Sequence, residues 1–221
     1  MNDIASLARE VASVGKALKD LSEQDWATPT RCPPMNVKEL VAHMLRGSTR
    51  IMEMIDAPPI DDEPEKDAVT YSQYDGRAEA AAIVERAQEG ARGFETTKDL
   101  IKAWDTAWIK ALQGARGIRA ADPVVPSVMG TMHLSEYIKT RIVEVTIHHL
   151  DLDDAVGHAP HPDAGALEAA CDVLRGLLGT DLRPLGMDDL RFAVVGTGRA
   201  ELSDEERSYL GPLVAKFPLL S

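Results

Sequence analysis

The stretch "RIVEVTIHHLDLDDAVG", Arg141 to Gly157, decides how the chain is read. Apolar residues recur in it at three- and four-residue intervals, so it belongs to a helix. Arg141, Glu144 and His148 fall on one side of that helix, because i+3 and i+4 neighbours stack over each other. Ile138, Val145 and Leu152 lie near the same side, which turns the stripe inward. His149 lies about 100° further round the helix. A carboxylate and an imidazole one turn apart can chelate one metal ion, as the two histidines of HExxH do. Two ligands do not complete a site, and spacing alone equally allows a solvated or hydrogen-bonded pair.

A third ligand is available on another predicted helix. Asn36 is a good N-cap, and "VKELVAHMLRGSTRIMEMI" runs on from it. His43 lies there on the face of Val37, Leu40 and Val41. A histidine on an apolar face needs a hydrogen-bond partner or a metal. His43, Glu144 and His148 together make a two-histidine, one-carboxylate set with positions left open for water or substrate.

Outward from these two helices, the pattern stays mainly helical. Ile4, Leu7, Val11, Val14 and Leu18 mark a helix over about 2–21. The Pro-rich "DWATPTRCPPMN" connects it to the helix of His43. "DAPPIDDEPEKDAV" is an acidic loop, and its Asp61–Asp67 portion is a candidate cover for a pocket. Helix resumes over about 73–114 with a break near "EGARGFETT". "ADPVVPSVMGTM" reads as an extended crossing with strand character. The helix of Glu144 spans about 134–154, and "PDAGALEAACDVLRGLLG" is a further helix stopping at Gly179. "LRFAVVGTGRAEL" looks β-like, and "SDEERSYLGPLV" is a short helix capped by Ser203 with Glu206 three residues on. The fold expected is mainly α: a four-helix bundle over residues 1–180, because each long helix needs a partner for its stripe. A small C-terminal α/β, strand-helix appendage over 186–221 follows.

Composition narrows the function. The 221 residues are 44% hydrophobic and 27% charged, as in ordinary globular proteins. The 36 acidic against 24 basic residues give a formal net charge of −12. That charge repels phosphate backbones and anionic membranes, so nucleic acid and membrane are not expected partners. No signal peptide or transmembrane stretch is read. Cys32 and Cys171 fit no CxxC spacing and are taken as structural thiols of a reducing, cytoplasmic setting. His133, His158 and His161 sit in loop-like contexts and receive no role. "GTGR" lacks the context of a dinucleotide fingerprint and reads as a turn.

Several of these residues also carry a resemblance. "W-x-x-PT-x-CP…VKELVAHM", Trp26 to Met44, and "R-x-x-E-x-x-x-HHLDL", Arg141 to Leu152, resemble two motifs of the mycothiol-dependent maleylpyruvate isomerase family of DinB-like helical bundles. "VVGTGRAELSDEERSYLG…FPLLS" is similar to the C-terminal part of many actinobacterial members. The resemblance implies a divalent metal, usually zinc, held by His43, Glu144 and His148. It also implies mycothiol as thiol cosubstrate, attacking a small-molecule electrophile by S-transfer or cis–trans isomerisation. Arg141 is the candidate catalytic residue, and Arg141 or Asp151 is suited to hold Glu144 or a histidine. Arg77 in "YDGRAEA" corresponds to a substrate-carboxylate arginine of the family, though its flanking residues match poorly. Pro34-Met35 stands where the family usually has Gly-Trp, so maleylpyruvate itself is not implied. A non-catalytic metal-bearing bundle that binds a ligand or partner, and a metal-dependent hydrolase without thiol, are the alternatives. Monomer and homodimer are both compatible with the sequence.

Overall fold

The computed structural model describes residues 3–58, 60–73, 79–118, 121–183 and 186–220. Four long helices form the bundle: α1 (Asp3–Asp20), α2 (Val37–Ile55), α5 (Thr97–Ile118) and α6 (Leu134–Val156). They close a ring in which α1 touches α5, α5 touches α2, α2 touches α6 and α6 returns to α1. Between them lie α3 (Ala68–Tyr71), α4 (Ala80–Arg92) and a hairpin of β1 (Val124–Ser127) and β2 (Gly130–His133). Then follow α7 (Ala164–Leu178), α8 (Asp189–Gly196) and α9 (Asp204–Leu210). No described helix is long and apolar enough to cross a membrane.

The bundle interior is filled by the stripes seen in the sequence. Leu7, Val14 and Leu18 of α1 meet Leu40, Val41 and Met44 of α2 and Leu100, Trp104 and Trp108 of α5, all fully buried. Two tryptophans are bulky for one helix, and neighbouring glycines make room. A Cβ on Gly47 would lie 3.3 Å from Trp108 Cη2, so the small residue lets α2 approach α5. Trp104 Nε1 donates to Val11 O at 3.1 Å and ties α5 to α1.

Helix ends follow the local signals. Asn36 and Glu39 form a reciprocal capping box on α2, and Ser203 and Glu206 form one on α9. Gly179 ends α7 in the left-handed region at φ 83. The expected break falls between Arg92 and Thr97, and α4 leaves the bundle to flank α2.

Two expectations need correcting. The apolar run of "LRFAVVGTGRAEL" is helix α8, not strand. Asp188 caps it by accepting from Arg191 N, and Phe192, Ala193 and Val195 are buried on its inner side. A short apolar run with paired valines does not by itself separate strand from helix. The described strands lie instead in the crossing before α6. There β1 pairs antiparallel with β2, Val124 opposite His133. Residues 61–67 of the acidic loop are not among those lining the large cavity beside α6. The loop runs along the hairpin, where Glu65 N and Lys66 N donate to Thr131 O and Ile60 bridges Val124.

A second core lies on the outer side of α6. Val143, Ile147 and Leu150 of α6 pack with Cys171, Val173 and Leu174 of α7 and Phe192, Ala193 and Val195 of α8. The C-terminal segment is thus stacked on the same helix that carries Glu144 and His148.

Candidate metal centre

Helix α2 runs beside α6, and His43 meets Glu144 across that seam. His43 Nε2 lies 3.6 Å from Glu144 Oε1. The rings of His43 and His148 stand edge to face, with centroids 5.2 Å apart. Val41 and Met44 turn into the core, while His43 lies on the wall of a cavity of about 770 Å³. Glu144, His148 and Arg141 from α6 share that wall, so the bundle brings together the four residues that the helical spacing singled out. Arg77 lies outside the described residues.

Burial and neighbouring charge set the two histidines apart. Burial pushes the His43 imidazole down to about 4 against the pull of Glu144. At neutral pH His43 is therefore uncharged, with a lone pair to offer. Burial raises the Glu144 carboxyl, but Arg141, His43 and His148 outweigh it and keep it below its ordinary value. Arg141 bonds Glu144 Oε2 through Nη1. Its guanidinium sits 4.8 Å from the centroid of the Tyr137 ring, and Nε donates to Thr140 Oγ1 at 3.2 Å. His43 Nε2 and Glu144 Oε1 are beyond hydrogen-bond distance of each other. Among the described residues neither nitrogen of His43 has another hydrogen-bond partner. His43, Glu144 and His148 share this wall, but they are not among the groups of described residues whose donor atoms all lie within 4.8 Å of one another.

His148 is held from behind. Its Nδ1 is 2.9 Å from Asp151 Oδ2, which leaves Nε2 as the atom available to the cavity. Burial opposes charge on His148, but the bonds to Asp151 and Cys32 outweigh it and push the imidazole up to about 10, so at neutral pH a metal must displace a proton from Nε2 to bind there. Asp151 is fully buried and accepts two hydrogen bonds from Arg199, Nε to Oδ1 at 2.8 Å and Nη2 to Oδ2 at 2.6 Å. Burial raises the Asp151 carboxyl, yet His148 and Arg199 hold it far below its ordinary range. Cys32 Sγ donates to the same carboxylate at 3.4 Å and lies 3.9 Å from His148 Nδ1.

Cys32, His148 and Asp151 place donor atoms within 4.8 Å of one another, closely enough to hold a metal by distance alone. The Arg199 guanidinium argues against that use. It already occupies both oxygens of Asp151, and Oδ2 also meets His148 Nδ1 and Cys32 Sγ, so the carboxylate is taken up by hydrogen bonds. The cluster instead has the form of an outer support, a carboxylate orienting a histidine whose other nitrogen faces the site.

Sequence reading missed two members of this support. Cys32, expected to be a structural thiol, gives no signal beyond its place in the linker before α2. Arg199 belongs to the "GTGR" turn. Gly198 there takes φ 69, and the Arg199 N–H bonds Val194 O, so the turn folds back over the end of α8 and sends its arginine to α6. Asp151 was legible as i+3 from His148.

The rest of the cavity wall mixes arginines and tyrosines with Glu79 and apolar residues such as Ile83 and Val143. Arg46 and Arg50 of α2 and Arg86 of α4 face it with Arg141, beside Tyr71 and Tyr137. Arg50 is paired with Glu53, whereas Arg46 and Arg86 have no ion pair among the described residues. Val128 of the hairpin tip and Leu220 of the tail complete the rim.

No curated protein and no solved structure matches the chain. The family model of the mycothiol maleylpyruvate isomerase N-terminal domain matches residues 7–153, which takes in the four bundle helices with His43, Glu144, His148 and Asp151. Arg199 lies beyond the matched residues. The chain belongs to the mycothiol maleylpyruvate isomerase N-terminal domain family.

Proposed function

We propose that this protein is a divalent-metal-dependent, mycothiol-using transferase or isomerase acting on a small electrophile that carries a carboxylate. One observation carries the reading: His43, Glu144 and His148 converge on a cavity of about 770 Å³ whose wall also bears Arg46, Arg50, Arg86 and Arg141. A metal ion held by the first three supplies Lewis acidity and favours the thiolate form of a bound thiol at neutral pH.

The chain's own residues account for the rest. His43 offers a lone pair because burial keeps it neutral. Arg141 balances the charge of Glu144 and fixes its rotamer. Asp151 and Arg199 are positioning residues that set the ring of His148. Arg46 and Arg86 receive the carboxylate of the electrophile, since a guanidinium fork matches a carboxylate. Tyr71 and Tyr137 narrow the cavity beside that point. The breadth of the cavity suits a thiol and an electrophile together, and holding both side by side removes much of the entropic cost of their meeting.

Elemental analysis of protein purified without added metal, followed by a thiol-dependence assay, tests this reading. About one zinc at this centre, lost in His43→Ala, and turnover of a carboxylate-bearing electrophile only with mycothiol are expected. Turnover without thiol would make the protein a metal-dependent hydrolase. Bound metal with no turnover across a broad electrophile panel would leave a ligand-binding bundle. Either result sinks the proposal.

A further inference from the structure

On the far side of α6 from the cavity lies a second group of ligating side chains. His149 follows His148 and therefore points about 100° further round the helix, and Asp153 lies one turn beyond it on the same face. Both side chains are fully buried. Glu10 of α1, also fully buried, lies 2.8 Å from His149 Nδ1. Its other oxygen accepts the Asp163 N–H at 2.6 Å. Glu10 thus fixes the imidazole with Nδ1 as donor and turns Nε2 toward Asp153 Oδ1, 4.0 Å away. Neither His149 Nε2 nor Asp153 Oδ1 has a hydrogen-bond partner among the described residues.

His161, in the loop after α6, closes the group. Its Nδ1 is 3.0 Å from Asp153 Oδ2, and its backbone N–H donates to that same oxygen at 3.1 Å. Its ring stands edge-on to His149 with centroids 4.7 Å apart. One donor atom from each of His149, Asp153 and His161 lies within 4.8 Å of the others.

A buried nitrogen and a buried carboxylate oxygen left without partners are costly. A proton on Nε2 does not satisfy them, because 4.0 Å is beyond hydrogen-bond reach. A bridging water or a small cation between them would, and the third donor alongside, His161, favours the cation. Two bonds of roughly 2.1 Å to a zinc-sized ion place the donor atoms about 3.4 Å apart at the tetrahedral angle, and further apart at a wider one.

We propose that His149, Asp153 and His161 form a second metal site, with Glu10 as the carboxylate that orients His149. Two imidazoles and one carboxylate select a zinc-class transition ion over magnesium or calcium. The Glu10–His149 pair is the outer support that such ligands need. The His161 side chain is 46% exposed, so solvent reaches the group and can supply a fourth ligand. The site joins α1, α6 and the loop leading to α7, away from the cavity, so its ion stabilises the fold and takes no part in the reaction at the cavity.

The test counts metal. Chelator-stripped wild-type protein, His161→Ala and His43→Ala are each titrated with Zn²⁺ against a chromophoric chelator, and each is melted with and without Zn²⁺. The side chain of His161 is half exposed, so its removal leaves the core intact, and circular dichroism checks this. Two equivalents are expected for wild type and one for each variant, with the second site weakened at least ~10-fold in His161→Ala. In His43→Ala, where the cavity trio is disabled, Zn²⁺ still raises the melting temperature. In the double variant it does not. Binding by His161→Ala indistinguishable from wild type overturns the proposal, as does a folded His43→Ala protein that takes up no Zn²⁺. Loss of binding at the cavity alone counts only against the trio there.

Discussion

Arg199 grips Asp151 with two hydrogen bonds, 2.8 and 2.6 Å long, and Asp151 in turn holds His148 at 2.9 Å. The residue that faces the cavity is thus set by an arginine from the far end of the chain. Metal-ligating histidines work best when the second nitrogen is fixed in this way.

Replacing Arg199 by alanine should therefore weaken Zn²⁺ at the cavity about 10- to 100-fold. It should also cost about 3 kcal/mol in stability, because Asp151 is fully buried and loses its charged partner. Competition with a chromophoric chelator and urea melts read the two effects. Arg199→Lys keeps the charge but not the fork, so it should fall between. An affinity unchanged in Arg199→Ala would remove the link between the turn and the site.

Arg46 and Arg86 face the cavity without an ion pair among the described residues. Changing both to glutamine should raise KM for a carboxylate-bearing electrophile at least ~10-fold, the scale of one lost charge-assisted contact. The kcat should change little, because the ligands are untouched. Steady-state kinetics on an acid and its methyl ester separate this from general damage: the ester should not distinguish variant from wild type.

Gly176 of α7 lies under α3. A Cβ there would clash with the Val69 side chain, so Gly176→Ala must displace Val69 on α3. We expect a loss of about 1–3 kcal/mol, as for overpacked cores. Helix α3 also carries Tyr71, which stands edge-on to Tyr137 at 6.4 Å on the cavity wall. The variant should therefore show altered substrate binding as well as lower stability. Denaturation alone would detect only the first effect, so ligand titration accompanies it.

Acid sensitivity should come in part from the C-terminal segment. The bond from Arg191 pulls the Glu206 carboxyl down to about 2, against the opposing effect of burial. Its folded value lies below its unfolded one, so the pair stabilises the protein above about pH 4.3. That contribution fades as pH falls toward 2. The stability gap between wild type and Glu206→Gln should be constant from pH 7 to about 5, then shrink to nothing under strong acid. A gap that stays constant to pH 3 in urea melts would show that Arg191 does not perturb Glu206.

Much of this was legible in the residues. Helical period and caps placed α1, α2, α6 and α7 to within a residue or two at most ends, because each buries a regular stripe and each has a clear boundary signal. The meeting of His43 with Glu144 was also legible, since a histidine on a buried stripe and a Glu-x3-His pair both point inward. Other features depended on tertiary partners. The "FAVVG" run carries no periodicity long enough to distinguish strand from helix, and its burial against α7 decides the matter. Cys32 and Arg199 reach α6 through loops, whose direction local spacing does not encode. His161 looked like a loop residue and is one, yet the loop folds back onto Asp153.

The distribution of charge gives the molecule an unusual response to salt. The chain carries a net charge of −12, yet the cavity sets four arginines against two glutamates, Glu79 and Glu144. An incoming anion is repelled by the body at long range and attracted only within the mouth. Ions at physiological strength shorten the reach of the repulsion to about 8 Å while the enclosed contacts are screened far less. Salt therefore opens the way in rather than closing it. For this protein the encounter of an acidic ligand should accelerate as salt rises from low values, the reverse of ordinary electrostatic steering.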